Sequence, residues 1–159
     1  MVRVYFSLGS NEGDRLENIN EALDALKEAL GDPEPRISTI IETEAWGFDG
    51  PDFLNCAAAF CWNPPCEDGA PERLLDICKA IERQLGRTGG PQWDSEGRRI
   101  YTPRPIDIDI LFFGLQKVDT PRLTIPHPLI SKRDFVKIPL NEIADDAIRA
   151  AFPEIFETI

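Results

Sequence analysis

Two aspartates in one short apolar segment are the residues best suited to chemistry in this sequence. Asp107 and Asp109 alternate with isoleucines between Pro105 and Gly114. If the segment is a strand, both carboxylates point to one face and lie about 7 Å apart along it, because side chains alternate with a period of two. Such oxygen ligands suit a hard cation such as Mg²⁺. Two solvated acids on an exposed strand face would give the same pattern, so the pair alone leaves both interpretations open.

Basic residues surround the aspartate pair in an otherwise acidic chain. The protein has a net charge of −11, yet residues 87–137 hold nine Lys or Arg against six Asp or Glu. Carboxylate-held Mg²⁺ with nearby cations is the equipment of phosphoryl transfer, because it stabilises the charge of the transferred group. A Walker-type glycine–lysine loop is not present in the sequence. The acidic total argues against binding to nucleic acid or anionic membranes, and chance clustering on a solvated face is the alternative for the basic stretch.

Length, composition and cysteine content indicate an ordinary globular protein. The chain has 159 residues, of which 42% are hydrophobic and 28% are charged, and we expect a single domain over residues 1–159. No apolar run approaches the roughly 20 residues that span a bilayer, and the first residues resemble a strand rather than a signal peptide. We therefore expect a cytoplasmic protein whose four cysteines are free thiols packed as small apolar residues.

The hydrophobic pattern predicts the elements that must position the aspartates. Apolar alternation predicts four strands, over residues 2–8, 37–43, 53–62 and 106–113. Apolar spacing of three or four predicts two helices, over residues 16–30 and 71–85. Irregular segments are expected over residues 44–52 and 86–105, with a short helix after residue 128 and a weakly amphipathic tail. The order βαββαβ predicts an α+β, ferredoxin-like core, with helices on one face of an antiparallel sheet and C-terminal additions.

Seven stretches, in order from about residue 2 to about residue 145, resemble the 6-hydroxymethyl-7,8-dihydropterin pyrophosphokinase family. They are residues 6–11 (FSLGSN), 42–47 (ETEAWG), 53–55 (FLN), 81–87 (IERQLGR), 103–109 (PRPIDID), 122–128 (RLTIPHP) and 133–135 (RDF). The aspartate strand followed by Arg-Leu-Thr-Ile-Pro-His is a specific combination. The resemblance implies transfer of pyrophosphate from ATP to the hydroxymethyl group of 6-hydroxymethyl-7,8-dihydropterin, with release of AMP, in folate biosynthesis.

The resemblance also implies a role for individual residues. Asp107 and Asp109 would hold two Mg²⁺ ions, and with Arg87 and Arg104 they would form the catalytic set. The residues implied for the pterin are Thr43, Glu44, Trp46, Phe53, Asn55 and Phe135. The residues implied for ATP are Glu82, Arg87, Arg104, Ile108, Arg122, Thr124, His127 and Arg133. Stacking of a flat heterocycle on aromatic faces, with its polar edge hydrogen-bonded, fits the types of residue in the pterin set.

Several of these residues have a structural alternative, and one segment departs from the family pattern. Phe53 is equally suited to an apolar core, Asn55 to a backbone hydrogen bond, and His127 to capping a turn. The family usually has a second arginine where this chain has Gly89, and its usual Arg-Trp-Gly-Pro-Arg-Thr stretch is replaced within a longer loop. We expect this altered loop, residues 88–102, to affect closure over the substrates, with Trp93 packing against the pterin or against the loop itself.

Two other functions remain open at the level of sequence. One is a different magnesium-dependent nucleotidyl- or phosphotransferase, which would bind ATP without a pterin. The other is a non-catalytic pterin or nucleotide binding module, which would have no need of two magnesium ligands. We expect ATP and the pterin as small-molecule partners of a monomer or weak dimer, without an appended second enzyme domain.

Overall fold

A computed structural model describes residues 1–44, 52–86, 92–93, 95–97, 99–100 and 105–156. The strands are β1 (Val2–Ser10), β2 (Arg36–Ile37), β3 (Ile41–Thr43), β4 (Phe53–Trp62), β5 (Gln92–Trp93), β6 (Arg99–Ile100), β7 (Asp107–Phe113), β8 (Val118–Asp119) and β9 (Thr124–Ile125). The helices are α1 (Arg15–Leu30), α2 (Ala70–Gln84), α3 (Asp134–Ile143), α4 (Asp146–Ala151) and α5 (Pro153–Phe156), with a 3-10 helix at Ile130–Lys132.

The main sheet confirms the predicted α+β, ferredoxin-like fold. Its strands run in the order β2-β4-β1-β7. β2 and β3 both pair directly with β4, at successive positions along the same edge of that strand. Every one of these pairings is antiparallel. The long strands β1 and β4 therefore lie at the centre, and β7, which carries the two aspartates, lies at an edge.

One face of the sheet packs against α1 and α2. Every second side chain of the long strands, for example Phe6, Phe60 and Ile110, joins these helices in one apolar core. The start of α1 is fixed by Asp14, whose side chain accepts a hydrogen bond from a backbone N–H of the first turn. Gly31 ends the helix in the left-handed conformation, with φ 69°.

The opposite face is covered in part by the C-terminal helices. Tyr5, Ala57 and Phe112 form a second core with α3, α4 and α5. The expectation of helices on one face was therefore incomplete. The middle residues of β1 and β4 are buried on both sides, so the tail that looked weakly amphipathic is needed to cover the second face.

Two shorter predictions need correction. The strand expected over residues 37–43 is divided into β2 and β3, because the Ser38 hydroxyl accepts the hydrogen bond from the Ala57 N–H at 2.8 Å. Glu142 of α3 then accepts hydrogen bonds from the Thr39 N–H and hydroxyl, each at 2.9 Å. The segment expected to be irregular contains the paired strands β5 and β6.

The cysteines are all free, as expected, but only Cys56 and Cys78 are buried. Cys61 is partly exposed and Cys66 is exposed, which corrects the expectation that all four are packed as small apolar residues. Burial raises the pKa of the Cys56 thiol to about 12, so this thiol stays protonated at neutral pH. In the part of the chain that the structure describes, no helix is both long enough and apolar enough to cross a bilayer.

Candidate active site

The second face of the sheet changes from apolar to polar towards the beginning of β4. Strand pairing aligns Asn55 of β4 with Gly9 of β1, and Gly9 with Asp107 of β7. In the next aligned row, Ser7 lies between Ala57 and Asp109. Because their neighbours along each strand pack into the core on the first face, these residues share the second face. The sheet thus brings Asn55 and both aspartates onto one surface.

The row that contains Gly9 has no room for a larger residue. A Cβ atom at Gly9 would lie 2.7 Å from Asn55 Oδ1 and 3.3 Å from the Phe53 ring. Asn55 is buried, with 3% of its surface exposed, and its Nδ2 donates to the Thr43 hydroxyl at 2.6 Å. Thr43 and Phe53 lie opposite each other in the β3–β4 pairing. Four residues from three strands therefore surround one small area of sheet.

The two aspartates are half-buried on this surface. Arg133 Nη1 lies 3.9 Å from Asp109 Oδ2. The Arg133 guanidinium also lies over the Phe135 ring, 5.6 Å from its centre. Arg133 directly precedes α3, so the start of this helix brings a cation and an aromatic ring to the carboxylates.

Glu82 supports the aspartate strand from its free edge. This carboxylate is buried within α2, and its Oε2 accepts a hydrogen bond from the Ile108 N–H at 2.9 Å. Ile108 lies between the two aspartates, and its side chain packs in the first core. Lys79 Nζ lies 3.4 Å from Glu82 Oε1. Glu82 and Ile108, both predicted to contact ATP, are therefore joined to each other at the strand that carries the aspartates.

The aspartate pair fits Mg²⁺ in donor type and number. Mg²⁺ is usually held by one or two carboxylates together with substrate phosphates and water. Among the described residues, no group of three or more His, Cys, Asp or Glu side chains is arranged to hold a metal ion. Within the described part of the chain, the pair is thus suited to an ion that takes its remaining ligands from a phosphate chain and water.

Arg122, predicted to contact ATP, is paired with acids of α2. Its Nη2 lies 2.5 Å from Asp76 Oδ1, and its Nη1 lies 3.8 Å from Glu72 Oε2. The hydrogen bond to Asp76 raises the pKa of Arg122 further. Both the Arg122 and Asp76 side chains are largely exposed. Thr124 is also exposed, and it begins β9 on the same short segment.

His127 is held as a neutral hydrogen-bonding group. Its Nδ1 accepts a hydrogen bond from the Leu129 N–H at 3.2 Å, so the ring proton belongs on Nε2. Burial, followed by the positive charge of Arg133, lowers the pKa of His127 to about 4. At neutral pH the ring therefore offers an uncharged N–H donor. The capping alternative and the phosphate role are compatible, because they use different nitrogens.

Three predicted site residues lie outside the described residues, namely Trp46, Arg87 and Arg104. Within the altered loop, residues 88–102, the structure describes residues 92–93, 95–97 and 99–100, without the side chain of Trp93. Glu44 is described and exposed. Of the remaining predicted residues, Ile108 packs into the first core and Glu82 bonds to its backbone. Arg122 and Thr124 lie on the exposed segment that leads into β9, and His127 follows that strand. The others share the surface around the aspartates.

The sequence pattern assigned no role to Gly9, although the residue lies between Asn55 and Asp107. Gly9 directly follows the strand predicted over residues 2–8, and a glycine in a strand often marks close approach of another group, which was the available signal. Asn11 was also left unassigned. It follows β1 directly and is 1% exposed, and this burial could be learned only from the structure.

Comparison with known proteins identifies the family. The profile of the 7,8-dihydro-6-hydroxymethylpterin-pyrophosphokinase family matches residues 5–145. The 2-amino-4-hydroxy-6-hydroxymethyldihydropteridine pyrophosphokinase of Porphyromonas gingivalis is 43% identical over 146 residues, which cover 91% of this chain and 92% of that protein. The enzyme of the same name from Aquifex aeolicus is 37% identical over 153 residues, which cover 96% of this chain and 86% of that protein.

A longer plant protein also contains a matching region. The mitochondrial folate synthesis bifunctional protein of Pisum sativum is 41% identical over 146 residues, which cover 91% of this chain and 26% of that protein. The profile match and the two bacterial relatives each extend over most of the chain, including the strands that carry Asn55 and the aspartates. The chain therefore belongs to the 7,8-dihydro-6-hydroxymethylpterin-pyrophosphokinase family.

Proposed function

We propose that this chain transfers the pyrophosphoryl group of ATP to the hydroxymethyl group of 6-hydroxymethyl-7,8-dihydropterin, with release of AMP. The observation that carries the proposal is the aligned row of Asn55, Gly9 and Asp107. Adjacent residues of such a row lie about 5 Å apart across the strands. A pterin held at Asn55 would therefore present its hydroxymethyl group towards the carboxylates on β7.

The pterin side uses an amide, two aromatic rings and a glycine. Asn55 offers a donor and an acceptor to the polar edge of the ring, and its orientation is fixed by the hydrogen bond to Thr43. Gly9 lacks the Cβ atom that would lie 2.7 Å from Asn55 Oδ1, so the Asn55 amide can lie against the sheet at this point. Phe53 and Phe135 supply aromatic surface on which the ring stacks. Thr43 thus acts mainly by holding Asn55 in place.

The phosphate side uses the two aspartates and Arg133. Asp107 and Asp109 would hold Mg²⁺, and two ions are our proposal for the number. When bound, the metal supplies positive charge to the phosphate oxygens during the transfer. Arg133 lies beside Asp109 and offers a further cation to the phosphate chain, where negative charge increases on the oxygen that leaves with AMP.

The reaction needs positioning more than covalent help from the protein. The hydroxyl oxygen of the pterin forms a bond to the β-phosphorus while the bond from that phosphorus to the oxygen bridging to the α-phosphate breaks, and AMP leaves. The hydroxyl proton is lost to solvent or to a neighbouring oxygen. His127 contributes a neutral N–H donor, and Arg122 contributes a cation once it leaves Asp76. Holding both substrates on one rigid sheet surface lowers the entropic cost of their encounter.

The proposal is tested by measuring AMP release with two pterins. The protein is incubated with ATP and Mg²⁺, and with either 6-hydroxymethyl-7,8-dihydropterin or 6-methyl-7,8-dihydropterin, which lacks the attacking hydroxyl. We expect AMP only with the hydroxymethyl compound, together with a product that carries two additional phosphates. AMP release with the methyl compound, or ATP binding without any pterin binding, would favour another magnesium-dependent transferase.

The same experiment addresses a non-catalytic binding module. Such a protein would bind the pterin in calorimetry but release no AMP with either compound. The two aspartates favour a catalytic role, because pterin binding alone does not require a pair of half-buried carboxylates beside a cation.

The remaining expectations are proposals of the same kind. We propose one domain over residues 1–159, acting as a monomer or weak dimer in the cytoplasm. The four free cysteines, two of them buried, support a reducing compartment. Sedimentation at micromolar concentration tests the oligomeric state.

A further inference from the structure

Strands β3 and β4 are paired over a very short distance at the pterin side. β3 has three residues, and its last residue, Thr43, pairs with Phe53, the first residue of β4. Both lie where the two strands separate, and β3 lies at the edge of the sheet. Three-residue edge strands have few hydrogen bonds to fix their register. The position of Thr43 relative to Phe53 therefore needs support from elsewhere.

Arg15 supplies contacts to both strands at this point. Its Nη1 donates to the backbone carbonyl oxygen of Asp52 at 2.9 Å. Its Nη2 donates to Glu42 Oε2, also at 2.9 Å. Arg15 thus connects the first turn of α1 with β3 and with the residue that precedes β4.

The base of the Arg15 side chain is itself well fixed. Arg15 is the first residue of α1 and follows the N-cap residue Asp14, whose side chain accepts the Glu17 N–H at 3.1 Å. One turn later, Asn18 Nδ2 donates to the Glu12 carbonyl oxygen at 2.8 Å and lies 3.3 Å from the Ser10 hydroxyl. The helix start is therefore tied to the end of β1, the strand that carries Gly9.

The two partners of Arg15 each precede a residue of the pterin side. Glu42 precedes Thr43, and Asp52 precedes Phe53. Glu42 pairs with Leu54, which packs against the first core, so the Glu42 side chain points away from the second face. Arg15 therefore acts from behind the sheet, without lining the pterin surface itself.

We propose that Arg15 is a positioning residue for pterin binding, which holds Thr43 and Phe53 at the spacing that the ring requires. The inference rests on the proposed function, because it assumes that the pterin binds at Asn55. A guanidinium suits the task, since its planar fork donates to two acceptors at once. Lysine at the same position would reach only one acceptor at a time. Arg15 and Glu42 are both partly exposed, so the ion pair between them contributes little to the free energy of unfolding.

The test compares Arg15→Lys and Arg15→Ala with Arg36→Ala. Arg36 is a suitable control, because it lies at the same sheet edge and donates to a carbonyl oxygen of α3 at 3.4 Å, away from Thr43 and Phe53. Initial rates give KM for the pterin, KM for ATP and kcat for each variant. Calorimetry gives pterin affinity with and without a non-hydrolysable ATP analogue, and thermal melting reports folding.

We expect the pterin KM to rise about tenfold in Arg15→Ala, by loss of charge-assisted hydrogen bonds that fix geometry, and about threefold in Arg15→Lys, which keeps one acceptor. The ATP KM should stay within about twofold, and Arg36→Ala should change neither constant. Equal increases in both constants, or an unchanged pterin KM, would overturn the positioning role. Failure of the wild-type protein to bind the pterin would instead overturn the proposed function, so the two failures are distinguishable.

A second variant keeps the inference testable if Arg15→Ala does not fold. Glu42→Ala leaves Arg15 and its bond to Asp52 in place, and we expect a pterin KM increase of about threefold. Where Arg15→Ala does fold, the double variant Arg15→Ala/Glu42→Ala should be no worse than Arg15→Ala alone, because both changes break the same contact. Full additivity of the two effects would mean that the residues act independently, which contradicts the proposal.

Discussion

The pterin side and the nucleotide side of the candidate site are built differently. On the pterin side, Thr43, Asn55 and Gly9 lie on three strands that are paired in register. On the nucleotide side, Arg122 lies on the short segment between β8 and β9, where it is paired with an acid of α2, and Thr124 begins β9. The pterin side is already arranged in the protein alone, whereas in our proposal Arg122 of the nucleotide side exchanges Asp76 for a phosphate of ATP.

This difference has consequences for mutation. Substitutions on the paired strands disturb side chains whose positions are fixed. They should therefore strongly change either kcat or the affinity for one of the two substrates. Changes at the exposed ion pair should alter ATP affinity weakly and in a salt-dependent way, because exposed pairs are screened and contribute little. The following experiments test that contrast, beginning with the largest expected effect.

Loss of either aspartate should nearly abolish turnover. We expect Asp107→Asn and Asp109→Asn to lower kcat/KM by at least about 10³-fold, because transferred phosphates lose the metal that offsets their charge. Asp24→Asn on α1 removes the same charge far along the chain, beside Lys27, and should remain fully active. Melting temperatures should be similar for all three. Substantial turnover by either β7 variant would show that these carboxylates do not hold the metal.

Adding a side chain at Gly9 should weaken binding of the pterin but not of ATP. The added methyl group of Gly9→Ala would meet Asn55 Oδ1 at 2.7 Å, so Asn55 must move. We expect the pterin KM to rise about 10- to 30-fold, equivalent to the loss of a hydrogen bond or two, with an ATP KM close to normal. Asn55→Ala should give a similar increase, and the double variant should not be worse. Cys61→Ser, near the other end of β4, serves as the control.

Releasing Arg122 should modestly improve ATP binding. In Asp76→Asn the guanidinium no longer has to leave a carboxylate, and we expect the ATP KM to fall about two- to fourfold at low salt. The pterin KM should not change. Glu28→Gln removes one negative charge from the exposed surface of α1 and controls for the change in the net charge of the protein. A higher ATP KM in Asp76→Asn would mean that Asp76 holds Arg122 ready for ATP rather than competing with it.

The smallest effect concerns stability below neutral pH. The folded protein lowers the pKa of His127 from about 6.5 to about 4, so between these values the unfolded chain binds a proton that the folded chain does not. The free energy of unfolding should therefore fall as pH is lowered from 6.5 towards 4. His127→Asn keeps an acceptor for the Leu129 N–H and should flatten this dependence. Urea unfolding at pH 7 and pH 5 measures the difference, and parallel losses in both proteins would contradict it.

The sequence predicted most of the main sheet and the surface that carries the aspartates. Alternation in β7 correctly placed Asp107 and Asp109 on one face and the isoleucines in the core, because strand geometry leaves little choice. The order of elements led to the ferredoxin-like fold for a similar reason. These features depend on local pattern, which one sequence contains in full.

Features that depend on contacts between distant residues were not predictable. The Ser38 hydroxyl interrupts a strand only because Ala57 lies opposite. The bonds from Arg15 to Asp52 and Glu42 cross 37 and 27 residues of sequence. Gly9 acquires its importance from the Asn55 side chain above it. In each case the residue type was visible, but its partner was fixed by strand register.

The most direct test of the central claim is the stoichiometry of the reaction, followed by phosphorus NMR with ATP, Mg²⁺ and 6-hydroxymethyl-7,8-dihydropterin. We expect one AMP and one pterin diphosphate for each ATP consumed, without ADP, and no reaction when the pterin is left out. Formation of ADP with a pterin monophosphate, or AMP formed at the same rate without the pterin, would contradict the proposal that this sheet surface transfers pyrophosphate to the pterin.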